Sequence, residues 1–88
     1  PMLIKSSTNT FEASARVEID ELERVTNCKF QNLRENDDID TLGGLIFSIT
    51  GRVPQRGEII KHDSGTIFEI KDADPMKIKS VKVLTPKK

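Results

Sequence analysis

A run of acidic side chains is the densest group of candidate metal ligands in this 88-residue sequence. Glu35-Asn36-Asp37-Asp38-Ile39-Asp40 places four carboxylates and one amide within six residues. Hard cations such as magnesium and calcium prefer oxygen ligands of this kind. The run lacks the D-x-D-x-D-G pattern of an EF-hand loop, so the sequence favours a solvated acidic loop with, at most, weak binding of a divalent cation. The candidate ligands are Glu35, Asp37, Asp38 and Asp40.

Two further side chains could act as a base or a nucleophile. His62 is the only histidine and Cys28 is the only cysteine. Nothing in the sequence orients either side chain toward the other, which favours a structural role for both. The chain has no G-x-G-x-x-G sequence, no P-loop and no paired cysteines at zinc-binding spacing. We therefore expect a protein that is not an enzyme and that needs no cofactor.

The composition argues against two further classes of protein. The formal net charge is +0 and neither Trp nor Tyr is present, so the aromatic platforms that bind single-stranded nucleic acid are missing. No stretch approaches the roughly 20 apolar residues of a membrane-spanning helix. The length suits one domain over residues 1–88, and a start at Pro1 without an initiator Met suggests a piece of a longer protein. A lone cysteine fits a reducing compartment.

The clearest element lies between Asp40 and Pro54. Apolar residues recur there at i, i+3, i+4 and i+7, which predicts a helix with one buried face. That face consists of Leu42, Leu45, Ile46 and Ile49. Asp40 or Thr41 can cap the start of the helix, while Gly51 and Pro54 are placed to end it.

Two residue choices within this helix are unexpected. Gly43 and Gly44 occupy its first turn, although glycine costs a helix interior about 1 kcal/mol relative to alanine. The pair predicts that another backbone approaches very closely, and leucine at Gly44 is then expected to destabilise the domain. Phe47 lies off the apolar face, so it either widens the buried face or projects toward a partner. The sequence leaves both interpretations open.

The rest of the chain is mostly strand-like. Strands are predicted at residues 2–6, 11–19, 58–62, 66–73 and 77–84. Asp20 and Glu23 form a capping-box pair, which predicts a short helix over residues 21–26 with Leu22 and Val25 facing the core. A break in the alternation of the last strand, at residues 79–80, indicates a β-bulge. Together these elements predict an α+β domain with a mainly antiparallel sheet and two short helices packed on it.

These residues also carry a resemblance to a known family. The segment Asp40-Thr41-Leu42-Gly43-Gly44-Leu45, followed by Gly51-Arg52-Val53-Pro54 and Gly57-Glu58, resembles the signature of the CorC/HlyC transporter-associated domain. The run from Phe68 to Val83 is similar to the closing strands of the same family. The resemblance therefore covers nearly the whole chain, from about Leu3 to Val83.

The resemblance implies a non-catalytic accessory domain. Domains of this family usually form the C-terminal part of hemolysin-like bacterial membrane proteins linked to magnesium and cobalt efflux, after a membrane region and a pair of CBS domains. We therefore expect the domain on the cytoplasmic side of the inner membrane, modulating ion transport or assembly. The expected partners are the neighbouring CBS and membrane domains, with a homodimer as an alternative. Binding of nucleic acid and direct insertion into the membrane are not expected.

The resemblance further implies a fold related to part of the FAD-binding oxidases. This makes a small nucleotide- or flavin-binding module the alternative function, although the absence of a phosphate-binding glycine loop argues against it. A haemolytic toxin is suggested only by the historical name of the family. No amphipathic, membrane-active helix of useful length supports that idea.

Overall fold

The computed structural model describes residues 2–30 and 39–86. Its elements in chain order are β1 (Leu3–Ser7), β2 (Thr10–Ser14), α1 (Ile19–Thr26), α2 (Leu42–Thr50), β3 (Ile59–Lys61), β4 (Ile67–Ala73) and β5 (Ile78–Leu84). The strands form one antiparallel sheet in the order β1-β2-β5-β4-β3. The predicted α+β architecture is confirmed. No helix in the described ranges is long and apolar enough to cross a membrane.

Alternation along the strands gives the sheet one buried and one open face. On the buried face, Phe11, Val83 and Phe68 are cross-strand neighbours on β2, β5 and β4. Both helices contribute to the same core through Ile19, Leu22, Leu42, Leu45 and Ile46. The open face carries one row of residues in register across all five strands, namely Ile4, Glu12, Lys82, Glu69 and Ile59.

The second strand ends earlier than its sequence pattern predicts. The alternation from Phe11 to Ile19 predicted one long strand, but β2 stops at Ser14. In the turn that follows, the Val17 N–H donates to the Ser14 carbonyl at 3.0 Å. Ala15 and Val17 remain buried, so the alternation reports burial correctly. The backbone nevertheless leaves the sheet, because the carbonyls of Ala15 and Val17 bond to the start of α2 instead of to a strand.

Helix α1 begins two residues before its predicted start, and the predicted capping box is wrong. The N-cap residue is Glu18, which makes no side-chain bond to the first turn. The carboxylate of Glu23, which a capping box would use, accepts a hydrogen bond from the Phe30 N–H at 2.8 Å. Leu22 is fully buried as predicted, whereas Val25 is 40% exposed. Val25 therefore does not belong to the core, because α1 buries only the side that carries Ile19 and Leu22.

The predicted irregularity in the last strand is confirmed. The register between β4 and β5 shifts on either side of the pair formed by Asp72 and Ser80. This shift turns Ile78 and Val81 toward the same buried face although they are three residues apart. The bulge therefore explains why the sequence alternation slips at this point.

Candidate functional site

Of the four predicted acidic ligands, the structure describes Asp40. Glu35, Asp37 and Asp38 lie outside the described residues. Asp40 is described and exposed, and its backbone carbonyl accepts a hydrogen bond from the Ile19 N–H at 2.8 Å. Within residues 2–30 and 39–86, no three His, Cys, Asp or Glu side chains are grouped so that they could hold a metal ion. The weak cation site stays a prediction.

Helix α2 begins with a side-chain cap from Thr41. Its Oγ1 accepts a hydrogen bond from the Gly44 N–H at 3.2 Å. Thr41, and not Asp40, is therefore the N-cap, which decides between the two candidates from the sequence. An extended pairing of Glu18 with Thr41 precedes the helix and holds the cap residue in its β conformation.

The other two N–H groups of the first turn are bonded to the segment that follows β2. The Leu42 N–H donates to the Val17 carbonyl at 3.0 Å, and the Gly43 N–H donates to the Ala15 carbonyl at 2.9 Å. Helix N-termini bind phosphate through N–H groups that have no partner in the protein. At this helix those groups are already used, which argues against a phosphate site at the start of α2.

The close backbone approach predicted for the glycine pair occurs at Gly43 and not at Gly44. A Cβ atom at Gly43 would lie 3.2 Å from both the Cβ and the carbonyl oxygen of Ala15. A Cβ atom at Gly44 would meet Oγ1 of Thr41 at 3.4 Å and Cγ2 of Ile39 at 3.7 Å, which are ordinary contacts. The expectation that leucine at Gly44 enters a close contact is therefore wrong, because that position is exposed.

The end of α2 follows the prediction, except at Ile49. Gly51 adopts φ 72°, and its N–H donates to the Phe47 carbonyl at 2.8 Å. Pro54 lies just beyond the helix and is fully buried. Ile49 was predicted in the buried face but is 42% exposed. The buried side of α2 consists of Leu42, Leu45 and Ile46, so it is one helical turn shorter than the apolar pattern.

Phe47 lies on the wall of a surface groove of about 790 Å³, here called the α2 groove. Its side chain is 49% exposed, so it projects outward and does not widen the buried face. The groove lies between α2, the segment after β2, and the turn that joins β4 to β5. Its apolar lining comes from Ile19, Ile39, Phe47, Val53, Met76 and Ile78. Gly43 and Gly44 form part of the same wall.

The turn between β4 and β5 presents Met76 at the rim of the α2 groove. The Oδ1 atom of Asp74 accepts hydrogen bonds from the N–H groups of Met76 and Lys77, each at 2.8 Å. These bonds, first from Met76 and then from Lys77, hold the pKa of the Asp74 carboxyl below its usual value, and the charge of Lys79 adds to the effect. Met76 is 84% exposed on this well-bonded turn. The sequence indicates the turn, but no local pattern shows that Met76 lies beside α2.

His62 is bonded inside the protein through both ring nitrogens. Nε2 lies 2.9 Å from the Phe30 carbonyl oxygen, and because a carbonyl can only accept, Nε2 carries the proton. The Ser64 N–H donates to Nδ1 at 3.0 Å, so Nδ1 is the acceptor. The Ser64 hydroxyl also lies 2.9 Å from Nδ1, a contact that the sequence analysis missed. That hydroxyl donates to Oγ1 of Thr66 at 3.1 Å. The side chains of Ser64 and His62 therefore stabilise the turn between β3 and β4.

The thiol of Cys28 contacts the backbone of its own segment. It is half-buried, packs against the hydrophobic core, and lies 3.5 Å from the Thr26 carbonyl. No hydrogen bond joins it to His62 in the part of the chain that the structure describes. The structural roles that the sequence favoured for both side chains agree with these contacts.

Comparison with known families identifies the domain. The profile of the CorC_HlyC family, the transporter associated domain, matches residues 4–87. The chain belongs to this family. The resemblance found in the glycine-containing helix and in the closing strands is thereby confirmed.

The curated relatives of this transporter-associated domain are hemolysin C proteins. The hemolysin C homolog of Rickettsia massiliae is 35% identical over 77 residues. Hemolysin C of Rickettsia prowazekii is 34% identical over 77 residues. Each match covers 88% of this chain and 25% of the relative. The chain thus spans about a quarter of the length of the curated relatives that it matches.

Solved structures share the fold. A putative Mg2+ and Co2+ transporter (CorC) associated region from Neisseria meningitidis matches with a TM-score of 0.83 and 21% identity, covering 98% of this chain and 100% of that one. A domain of a Xylella fastidiosa hemolysin, solved in complex with Mg++ and Mn++, matches with a TM-score of 0.80 and 23% identity, covering 99% and 100%. These likenesses show the fold alone. The relation to the FAD-binding oxidases stays a prediction.

Proposed function

We propose that this transporter-associated domain is a non-catalytic module that modulates magnesium or cobalt transport by a larger hemolysin-like membrane protein. Its position in that protein would be on the cytoplasmic side, beside the CBS pair and the membrane region that the family resemblance implies. Two points support the proposal: the family is transporter-associated, and the Neisseria relative is named for Mg2+ and Co2+ transport.

The main observation behind the proposal is that the candidate reactive and phosphate-binding groups make their hydrogen bonds inside the protein. The groups that could do chemistry or hold a phosphate are bonded inside the protein, namely the ring of His62 and the first N–H groups of α2. The α2 groove, in contrast, exposes large apolar side chains at Phe47 and Met76. Contiguous exposed apolar surface marks interaction sites and binding grooves. Contact with other protein surfaces is therefore the favoured activity.

The nucleotide- or flavin-binding alternative is not favoured. Such a module needs a place for a phosphate, and the start of α2 lacks free N–H groups for one. A divalent cation is a separate matter, because the Xylella relative was solved with Mg++ and Mn++. We propose at most weak binding of such a cation here, through the acidic run that includes Asp40.

The test is a deletion within the full-length protein. Removing the segment from Leu3 to Val83 should leave membrane insertion intact and should change an apparent affinity in an efflux assay by roughly 5- to 150-fold, the usual range of allosteric coupling. Efflux from vesicles, at matched expression, measures this change. Complete loss of transport in a correctly inserted protein would indicate an essential part of the transport path. No change under any ligand condition would remove the regulatory claim.

A pair of point variants makes the test specific to the groove. Phe47→Ser removes an apolar side chain from the groove wall, where it is 49% exposed. Ile59→Ser is the matched control, since Ile59 is 53% exposed but lies on the open face of the sheet. Phe47→Ser should reproduce part of the effect of the deletion, and Ile59→Ser should not. Equal effects of the two variants would contradict a role for the groove.

A further inference from the structure

We propose that the α2 groove is a self-complementary surface through which two copies of this domain pair about a two-fold axis, with Met76 of each copy inserted beside Phe47 of the other. The inference names the partner for the contact role proposed above and rests on that role. It can fail separately, because pairing is measured on the domain alone and transport on the full-length protein.

The turn that carries Met76 is suited to insertion. Both the Met76 and Lys77 N–H groups are bonded to the Asp74 carboxylate, and the Asp74 N–H donates to the Lys77 carbonyl at 2.9 Å. The turn is thus ordered before any contact forms. The side chain of Met76 is 84% exposed. Because the backbone of its turn is already ordered, inserting this side chain into a partner costs little backbone entropy.

The receiving surface lies on the same side of the domain. Met76 and Phe47 both line the α2 groove, whose apolar floor includes the buried Ile78 and the half-buried Val53. In a two-fold symmetric contact, both copies use the same surface patch. That patch must therefore carry both the residue that inserts and the residue that receives it. A contact with a different protein has no such requirement. The joint placement of Met76 and Phe47 therefore favours a second copy as the occupant.

The charges around the α2 groove fit the same arrangement. Basic and acidic side chains both occur on its rim, namely Arg16 and Lys77 against Glu18, Asp20 and Asp40. None of these five forms an ion pair within 4.0 Å in the described residues. Arg16 lies beside β5, where the Ala15 N–H bonds to the Lys79 carbonyl, and Glu18 pairs with Thr41 at the other end of the segment. A two-fold contact can bring the basic end of one copy to the acidic end of the other.

The open face of the sheet does not offer an equivalent surface. The exposed apolar residues of its strands, Ile4 and Ile59, lie at opposite ends of one cross-strand row. Between them lie Glu12, Lys82 and Glu69. Apolar surface interrupted in this way makes a poor core for an interface, because interface cores are depleted of charged residues.

Pairing of such a small domain should be weak and reversible. Its whole accessible surface is 6055 Å², so a standard interface of about 800 Å² per partner would take roughly an eighth of it. One groove supplies less than that, which points to a dissociation constant between about 1 μM and 1 mM. Binding of this strength becomes significant when the parent protein holds two copies close together.

Sedimentation equilibrium of the 88-residue chain tests the proposal. Domains of this length fold on their own, since solved relatives consist of little else. The unmodified chain should dimerise with rising concentration, and Met76→Ser should raise the dissociation constant by about tenfold or more. Ile59→Ser is the control, because it also removes an exposed apolar side chain and should leave the constant unchanged. Thermal melts of both variants check that the fold is intact.

Two results would overturn the pairing proposal. A chain that stays monomeric up to about 1 mM, the weak limit set above, overturns the proposal and leaves the groove to other parts of the parent protein. Equal dimerisation of Met76→Ser and Ile59→Ser overturns it as well. Amide chemical shifts followed on dilution give a second readout. Shifts confined to the edge strands β1 or β3, and absent from Phe47 and Met76, would show pairing through the sheet instead of the groove.

Discussion

The contact between Gly43 and Ala15 provides the sharpest test of how this fold is stabilised. A methyl group added at Gly43 would lie 3.2 Å from two atoms of Ala15, one of them a backbone oxygen. Ala15 cannot easily retreat, because its N–H donates to the Lys79 carbonyl at 2.9 Å and its carbonyl accepts from Gly43. We therefore expect Gly43→Ala to strain two backbone hydrogen bonds.

The magnitude follows from two opposing effects. Replacing a helical glycine by alanine gains up to about 1 kcal/mol in propensity. Overpacking a tight contact costs about 1–3 kcal/mol, and weakening the Gly43 hydrogen bond adds about 1 kcal/mol. The net expectation is a loss of about 1–3 kcal/mol for Gly43→Ala. Gly44→Ala is the matched control and should gain up to about 1 kcal/mol, because its Cβ meets only ordinary contacts.

Urea denaturation and thermal melting of the two variants measure this difference. For a domain of this size, 1 kcal/mol corresponds to about 4–8 °C in melting temperature, so the melting temperatures of the two variants should differ by at least about 4 °C. Ala15→Gly removes one of the two crowded atoms and should reduce the loss caused by Gly43→Ala, as a double-mutant cycle would show. If Gly43→Ala proves as stable as Gly44→Ala, the close approach does not exist and the reasoning fails.

Three other perturbations test separate parts of the molecule. Asp74→Ala should lower the melting temperature at neutral pH. Because the pKa of Asp74 is lowered in the folded state, its stabilising effect is lost as the pH falls below about 4. The melting temperatures of the variant and of the unmodified protein should therefore converge at low pH. His62→Ala should lower the free energy of unfolding, measured by urea denaturation, by about 1–3 kcal/mol, because the Phe30 carbonyl loses its hydrogen-bond donor. An unchanged free energy of unfolding would show that this hydrogen bond is unimportant. Calorimetric titration with magnesium or calcium should show at most millimolar binding, and a micromolar constant abolished by Asp37→Asn with Asp38→Asn would prove the acidic run a true site.

Sequence patterns predicted α2 well because its signals are local. Thr41 offers an oxygen within three residues of the N–H that it caps, and Gly51 is the residue type that tolerates φ 72°. The hairpins are also local, since each requires only a turn between two alternating runs. The family resemblance depends on the same residues, so the sequence alone carries it.

Long-range contacts set the limits of the sequence prediction. The alternation from Phe11 to Ile19 could not show that the carbonyls of Ala15 and Val17 turn toward α2, because their partners lie more than twenty residues away. The glycine pair indicated a close approach, but only the position of Ala15 shows which glycine allows it. The position of Met76 beside α2 escaped prediction for the same reason, since it depends on which element packs next to the turn and not on the turn itself.

The Gly43 contact also connects the stability of the fold to the surface proposed for pairing. Because Gly43 lacks a side chain, the segment after β2 can bond directly to the first turn of α2. That bonding brings Arg16 and Glu18 to the rim of the groove whose wall carries Phe47. A larger residue at position 43 would push the segment away and move both charges with it. The glycine therefore contributes to the fold and to the α2 groove through one set of backbone hydrogen bonds, and this explains why a residue that weakens a helix occupies its first turn.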